Sequence, residues 1–193
     1  VLVDAAFGAP NLHIFAGVPR PGRSLAEAFA PNGPTLAELA VPTHVPGVRL
    51  VGGVSDPPWV ANPRPENVRH VAEQLHALPA DWVVVDLGPG IGAATLEMFL
   101  EAEIQLLVAV PDPTSIELMH RFVRAAFHKW LERRGLVQFS DPHVGNEGGA
   151  PSALDVYLQA VASNADEVPA LRDAIMAFSP HLVINEARSK SDM

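Results

Sequence analysis

The run from Trp82 to Asp86 constrains the fold more than any other part of the sequence. It reads Trp-Val-Val-Val-Asp, and a run that is apolar on both faces is typical of a central parallel strand covered by helices on each side. Asp86 places a carboxylate at the carboxyl end of this strand, where open α/β sheets bind ligands. Gly88, Gly90 and Gly92 follow, and glycine allows the backbone to turn sharply and to approach a neighbour closely.

The segment from Asp81 to Gly92 has two interpretations at this point. In the first, it is an ordinary loop between a strand and a helix, and Asp86 caps the next helix. In the second, Asp86 positions a metal ion and the glycines form a loop that contacts a phosphate group of a nucleotide. The other strands of the chain bear on this choice.

Five short apolar runs alternate with helical patterns along the chain. We predict strands at Val1–Val3, Val48–Val51, Trp82–Asp86, Ile104–Val110 and His181–Ile184. We predict short helices that begin at the capping boxes Ser24–Glu27 and Thr35–Glu38, and longer helices at Glu66–Leu78, about 93–102, Thr114 to about Arg134, Ser152–Ala162 and Val168–Phe178. This alternation predicts an α/β fold, a mostly parallel sheet with helices on both faces in a Rossmann-like three-layer sandwich.

Right-handed crossovers would bring the carboxyl ends of these strands to one edge of a single sheet. That edge would carry Asp4, Asp86, the turn at Pro111–Thr114 and Asn185. Two carboxylates at strand ends suit Mg²⁺, which prefers a few carboxylates together with substrate phosphates. Taken alone, Asp4 is better explained as a turn-forming residue that hydrogen-bonds its own loop.

The turn after the fourth predicted strand contains two prolines. Pro111-Asp112-Pro113 is expected to prevent helix formation there and to force a turn. The sequence Thr114-Ser-Ile-Glu117 forms a capping box, so we predict that the longest helix begins at Thr114.

Composition excludes several classes of function. Thirteen Lys and Arg residues against 22 Asp and Glu residues give a net charge of −9, so direct nucleic-acid binding is not expected. The absence of cysteine removes disulfides, thiol catalysis and cysteine-ligated metal sites. The eight histidines lack a metal-binding spacing and are interpreted as surface or packing residues. The sequence has no secretory signal and no apolar run near the ~20 residues of a membrane span, so a cytoplasmic location is expected.

The 193 residues are predicted to form one domain, 1–193, that is incomplete at both ends, because the chain opens directly on a strand and closes soon after another. The proline-rich segment Ser55–Pro65 is expected to be an ordered surface loop. Gly135–Pro151 is the most loop-like stretch, and it opens a helical insertion at about 135–180.

Four motifs, in order along the chain, resemble those of the MinD/ParA-type ATPases. Val3-Asp-Ala-Ala-Phe-Gly-Ala-Pro-Asn-Leu-His13 is similar to the segment after the second strand of that family, which reads Asp-x-Asp-x-Gly-x-x-Asn-Leu. Residues 82–90 resemble its Walker B strand and switch II, residues 110–117 its next strand-to-helix turn, and residues 182–186 the strand whose Asn contacts adenine. Together with the insertion, these motifs are most similar to the FlhG-like branch, which is linked to flagellar number and placement.

The resemblance implies a P-loop NTPase fold of the SIMIBI type and a switch ATPase that binds ATP with Mg²⁺. Asp86 would hold the water shell of Mg²⁺, and Asp4 would assist at the metal. The loop through Gly88 would contact the nucleotide, and Gly90 would sense the γ-phosphate through its backbone N–H. Asn185 would hydrogen-bond the adenine. Catalysis of this kind works by positioning and electrostatics, and hydrolysis releases the switch segments.

The resemblance also implies partners. These are a second copy in an ATP-bound homodimer and a protein of the positioning machinery. A peripheral contact with the inner face of the cell membrane is also implied, through an amphipathic helix that this sequence lacks.

Two departures from the family pattern affect the expected activity. The sequence contains no Gly-x-x-x-x-Gly-Lys-Ser/Thr loop, which in the family lies upstream of the strand that begins here at Val1. In the family, this loop follows a central strand of the sheet. The neighbours of that strand correspond to the strands that end here at Asp86 and at Val110. The chain alone is therefore expected to bind ATP poorly. The second Asp of the family pair, which orients the attacking water, is Ala6 here, so hydrolysis is expected to be slow.

Two alternatives follow from these departures. The chain is a catalytically inactive MinD-like scaffold or protein-binding regulator if the upstream loop is degenerate, whereas an intact loop would favour the ATPase. A general nucleotide-using α/β enzyme is a third interpretation, but the sequence offers no base for a substrate pocket.

Overall fold

The computed structural model describes residues 1–30, 32–53, 58–136, 138 and 151–186. Contacts between residues divide the chain into two compact units, Val1–Glu101 and Ala102–Met193, and each is considered by itself. Helices and strands alternate along the chain, so the predicted α/β class is confirmed. The single domain predicted from chain length remains a prediction.

The first unit is built on a four-stranded sheet. Its elements are β1 (Leu2–Asp4), α1 (Leu12–Phe15), a 3-10 helix (Leu25–Phe29), α2 (Leu36–Leu39), β2 (Val41–Pro42), β3 (Arg49–Val51), a second 3-10 helix (Pro58–Ala61), α3 (Pro65–His76), β4 (Val84–Asp86) and α4 (Ala93–Glu101). The strand order is β2-β3-β1-β4. β1 is parallel to both β3 and β4, and β2 is antiparallel to β3.

The core of the first unit lies between the sheet and its helices. Val3 and Val51 are fully buried register partners on neighbouring strands. They belong to a cluster with the buried stripe of α3, where Val68 and Val71 recur at helical spacing as predicted. The apolar pattern therefore fixes which face of α3 packs on the sheet.

The second unit contains a two-stranded parallel sheet and three helices within its described part. Its elements are β5 (Leu106–Ala109), α5 (Pro113–Glu132), α6 (Ala153–Ala162), α7 (Val168–Ala177) and β6 (His181–Ile184). β5 and β6 pair along their whole length, from Leu106 with His181 to Ala109 with Ile184. The helices form a separate core that includes Leu131, Val156 and Leu171, each fully buried.

The strands form two sheets, which differs from the single sheet predicted. All five predicted strands are present, but β1, β3 and β4 belong to the sheet of the first unit and β5 and β6 to that of the second. An apolar run identifies a strand, whereas its neighbours depend on backbone hydrogen bonds between segments that are distant in sequence. Local periodicity does not encode that pairing.

β4 is the outer strand of its sheet. The Val84 N–H donates to the Val1 carbonyl at 2.9 Å, and the Asp86 carbonyl accepts from the Ala5 N–H at 2.8 Å. Backbone groups alternate along a parallel ladder, so those of Val85 point to the opposite edge. In the described part of the first unit no strand pairs with that edge.

The predicted start of the longest helix was wrong by one residue, and its predicted N-cap, Thr114, was wrong by two. α5 begins at Pro113, and its N-cap is Asp112, whose Oδ1 accepts the N–H groups of Thr114 (2.9 Å) and Ser115 (3.1 Å). Pro113 does not prevent the helix, because at the first helical position a missing N–H has no intrahelical partner to lose.

Two predicted loops are partly structured. The segment Ser55–Pro65 contains the 3-10 helix Pro58–Ala61, and the prediction for residues 54–57 lies outside the described residues, as does that for 139–150. The helices predicted within the insertion are α6 and α7. Among the described helices, none combines the length and the apolar character that crossing a membrane requires.

Candidate functional site

Asp4 ends β1 and is almost completely buried, with 2% of its surface exposed. Its Oδ1 accepts the Ala6 N–H at 3.3 Å, and its Oδ2 accepts the Leu12 N–H at 2.8 Å. Both carboxylate oxygens therefore hold the loop that follows β1 and the start of α1. This geometry matches the turn-forming interpretation of Asp4.

Asp86 occupies the equivalent position on the neighbouring strand, and the two aspartates are register partners. Its side chain is partly exposed, and its Oδ1 accepts the Gly88 N–H at 2.9 Å. Its other oxygen has no hydrogen-bond partner among the residues that the structure describes. Asp86 thus holds the turn of its own loop and leaves one carboxylate oxygen without a partner among the described residues. The alternative in which Asp86 caps α4 has no hydrogen bond in its support.

The electrostatics of the pair follow from burial. Desolvation raises the pKa of Asp4 above its ordinary value of 3.8, and the charge of Asp86 raises this pKa further. The two backbone N–H groups and the nearby His13 oppose these effects, but the net shift is upward. A cation near this pair would relieve the repulsion between the two carboxylates.

His13 is a neighbour that the sequence analysis interpreted only as a surface or packing residue. Its Nδ1 is buried and has no hydrogen-bond partner among the described residues. His13 directly follows Leu12, whose N–H is bound by Asp4. The sequence signal that could have placed His13 near Asp4 is its position directly after Leu12. The spacing of the histidines gives no such signal, because it does not match a metal-binding motif.

The glycine loop after β4 is turned at two positions with positive φ. Gly88 has φ +63°, and a Cβ placed there would lie 2.8 Å from the Ala6 Cβ. Gly90 has φ +128° and no atom within 4 Å of such a Cβ, so its positive φ rather than a close contact favours glycine there. The sequence predicts that these glycines permit a sharp turn and a close approach. Gly88 and Gly90 both have the positive φ of a sharp turn, and Gly88 also approaches a neighbouring segment closely.

A cavity of about 120 Å³ lies beside this loop. Its walls come from the loop after β1, the end of the 3-10 helix Pro58–Ala61, the loop after β4 and the first turn of α4. Pockets that enclose drug-sized ligands measure ~300–1,000 Å³, so these walls do not enclose a nucleotide.

The remaining predicted residues lie in the second unit. Asn185 follows β6 and is exposed; its backbone N–H donates to the Ala109 carbonyl at 2.8 Å, and its Oδ1 accepts the Glu186 N–H at 3.0 Å. The N–H of Thr114 is bound by Asp112. At the helix start Pro111–Thr114, the backbone N–H of Thr114 is therefore already hydrogen-bonded within the chain.

Mg²⁺ requires a set of oxygen ligands. Within the described ranges, no group of three or more His, Asp or Glu side chains is arranged to hold a metal ion. Asp86 fits the resemblance, because Mg²⁺ bound with substrate phosphates needs only one or two carboxylates. Asp4 does not fit as a direct ligand, because both of its oxygens are buried and bound.

No protein-family model matches the chain, and no curated protein matches it significantly.

Proposed function

We propose that this chain is the nucleotide-binding part of a MinD/FlhG-like switch ATPase that acts in placing or counting a cellular structure. The observation that carries the proposal is the pairing of Asp4 and Asp86 at adjacent strand ends, followed by a glycine loop whose turn Asp86 holds. The sequence motifs that suggested the family lie on these elements.

In this proposal the two aspartates have different roles. Asp86 would use its free oxygen to hold the water shell of Mg²⁺, and Asp4 would shape the loop beside it from a buried position. When bound with ATP, Mg²⁺ neutralises charge on the phosphates. Gly90 is exposed, and in this proposal its backbone N–H would donate to the γ-phosphate. The proposed contact of Asn185 with adenine follows from the resemblance alone.

The free edge of β4 supports a further part of the proposal. The backbone N–H and C=O of Val85 point toward it, and a parallel strand that pairs there would end beside Asp86. A strand carrying a P-loop would thus bring phosphate-binding N–H groups to Asp86. The proposed partners follow from the resemblance alone. They are a second copy in an ATP-bound homodimer, a protein of the positioning machinery and the inner face of the cell membrane.

A catalytically inactive scaffold is the second candidate. It is favoured by Ala6 in place of the water-orienting carboxylate and by the complete engagement of Asp4 in its own loop. This candidate keeps the fold but lacks Mg²⁺-dependent turnover.

The test is equilibrium binding of a fluorescent ATP analogue to the full-length protein, with Mg²⁺ and with EDTA. Saturable binding that weakens at least about tenfold without Mg²⁺ supports the switch. Absence of saturable binding at millimolar nucleotide would contradict it and favour the scaffold. Hydrolysis is measured separately by phosphate release, because slow turnover is expected.

A further inference from the structure

The turn Ala6–Ala9 touches two other segments of the first unit. It is closed by a hydrogen bond of 3.0 Å from the Ala9 N–H to the Ala6 carbonyl. At its start, the Ala6 methyl lies where Gly88 leaves no room for a side chain, since a Cβ on Gly88 would approach within 2.8 Å. The turn therefore contacts the loop after β4 directly.

The second contact lies two residues further along the same turn. A Cβ on Gly8 would lie 2.6 Å from the Ala61 Cβ and 3.0 Å from its Cα. Ala61 ends the 3-10 helix Pro58–Ala61. Real Cβ atoms essentially never come closer than 3.0 Å to such neighbours, so at both glycines the missing side chain allows the two segments to pack more closely than a Cβ would permit.

The turn is also fixed to the sheet. Asp4 binds the N–H of Ala6 through Oδ1 and that of Leu12 through Oδ2, so the loop is held at both ends. A displacement of the loop after β4 is therefore not absorbed by free movement of the segment around Ala6.

We propose that the turn Ala6–Ala9 is an interlock that couples the loop Leu87–Gly92 to the 3-10 helix Pro58–Ala61. Displacing the loop displaces the helix, and the reverse also holds. That helix carries Trp59, which is 55% exposed and lies 6.0 Å from the ring of Phe29. The state of the loop beside Asp86 thus changes a surface around Trp59. The coupling goes beyond the proposed function, because it operates without nucleotide.

The experiment is hydrogen exchange, followed by mass spectrometry, on the ligand-free full chain. Gly88→Ala introduces both an unfavourable φ and the collision with Ala6. Gly22→Ala is the matched control, because Gly22 has φ +74° and no atom within 4 Å of an added Cβ. We expect Gly88→Ala to accelerate exchange about fivefold or more in residues 58–63 as well as in 87–92, and Gly22→Ala to leave both unchanged.

A second substitution separates collision from backbone strain. Ala6→Gly in the Gly88→Ala background should return exchange in residues 58–63 toward the native rate, while residues 87–92 stay faster. Acceleration confined to residues 87–92, or no rescue by Ala6→Gly, would overturn the interlock. If Gly88→Ala fails to fold, Gly8→Ala is measured instead, because it introduces the collision with Ala61 at the other end of the turn. Faster exchange in residues 87–92 as well as in 58–63 supports the interlock, and acceleration confined to residues 58–63 would refute it.

Discussion

Asp4 and Asp86 are register partners on the neighbouring parallel strands β1 and β4, yet their side chains are used differently. Asp4 is buried and binds two backbone N–H groups of the next loop, whereas Asp86 is partly exposed and binds one. The buried residue thus holds the loop after β1 through both oxygens, whereas the partly exposed residue holds the turn after β4 through one.

The raised pKa of Asp4 gives a pH dependence of defined sign. Because the folded state holds this proton more tightly than the unfolded state, whose pKa is near 3.8, Asp4 lowers the free energy of unfolding as pH rises above 3.8. The difference in unfolding free energy between the native chain and Asp4→Asn should therefore fall with rising pH and level off above the folded pKa. Urea unfolding at a series of pH values measures it.

Glu27 provides the internal control for that measurement. Its hydrogen bonds from the Arg23 side chain and the Ser24 backbone N–H lower its pKa below 4.5. Its stabilising contribution is complete above pH 4.5 and is lost as pH falls through the lowered pKa. Glu27→Gln should thus give the opposite slope from Asp4→Asn, and equal slopes would show that the trend belongs to the whole protein.

Replacing Asp86 tests its proposed metal role. Asp86→Ala in the full-length protein should abolish Mg²⁺-dependent ATP binding or turnover, because it removes the carboxylate that is proposed to hold the water shell of Mg²⁺. Asp112→Ala is the matched control, since it also removes an aspartate that binds backbone N–H groups, but at the start of α5. Unchanged ATP affinity and turnover in Asp86→Ala would refute the Walker B assignment.

A carboxylate at position 6 tests the proposed cause of slow hydrolysis. Ala6→Asp should raise the rate of ATP hydrolysis, because MinD/ParA-type ATPases carry a water-orienting carboxylate at the position that Ala6 resembles. Ala6 is only 7% exposed and touches Gly88, so the larger side chain should also lower stability by ~1–3 kcal/mol. Ala6→Asn has similar size without the charge and should lower stability without raising turnover; equal turnover in both variants would show that water is oriented by another group.

The cap of α5 gives a prediction for the second unit. Asp112→Ala should reduce the free energy of unfolding by about 1 kcal/mol, because the N–H groups of Thr114 and Ser115 lose their acceptor. Asp112→Asn retains a side-chain oxygen and should remain within a few tenths of a kcal/mol of the native chain. Chemical denaturation measures both, and equal losses would indicate that the charge, rather than the acceptor, stabilises the helix.

Short elements were beyond the reach of sequence patterns. α1 spans four residues and β2 spans two, so neither contains a full period of an apolar repeat. The predicted capping boxes at Ser24 and Thr35 are both present in the structure, because each depends only on residues three positions apart. The N-cap of α5 is Asp112, not Thr114 of the predicted capping box. Both residues are good N-cap residues, so the sequence alone does not show which of them caps the helix.

The sequence by itself determined the α/β class, the positions of the five main strands and the placement of a carboxylate at the ends of two of them. These features depend on runs of a few residues, whose hydrophobic periodicity and capping chemistry are local. Only the tertiary structure decided that the strands form two sheets, that Asp4 is buried and bound while Asp86 retains a free oxygen, and that Ala6 rests against Gly88. These features depend on which segments that are distant in sequence pack against each other. The free energy that favours one such packing comes from contacts throughout the core.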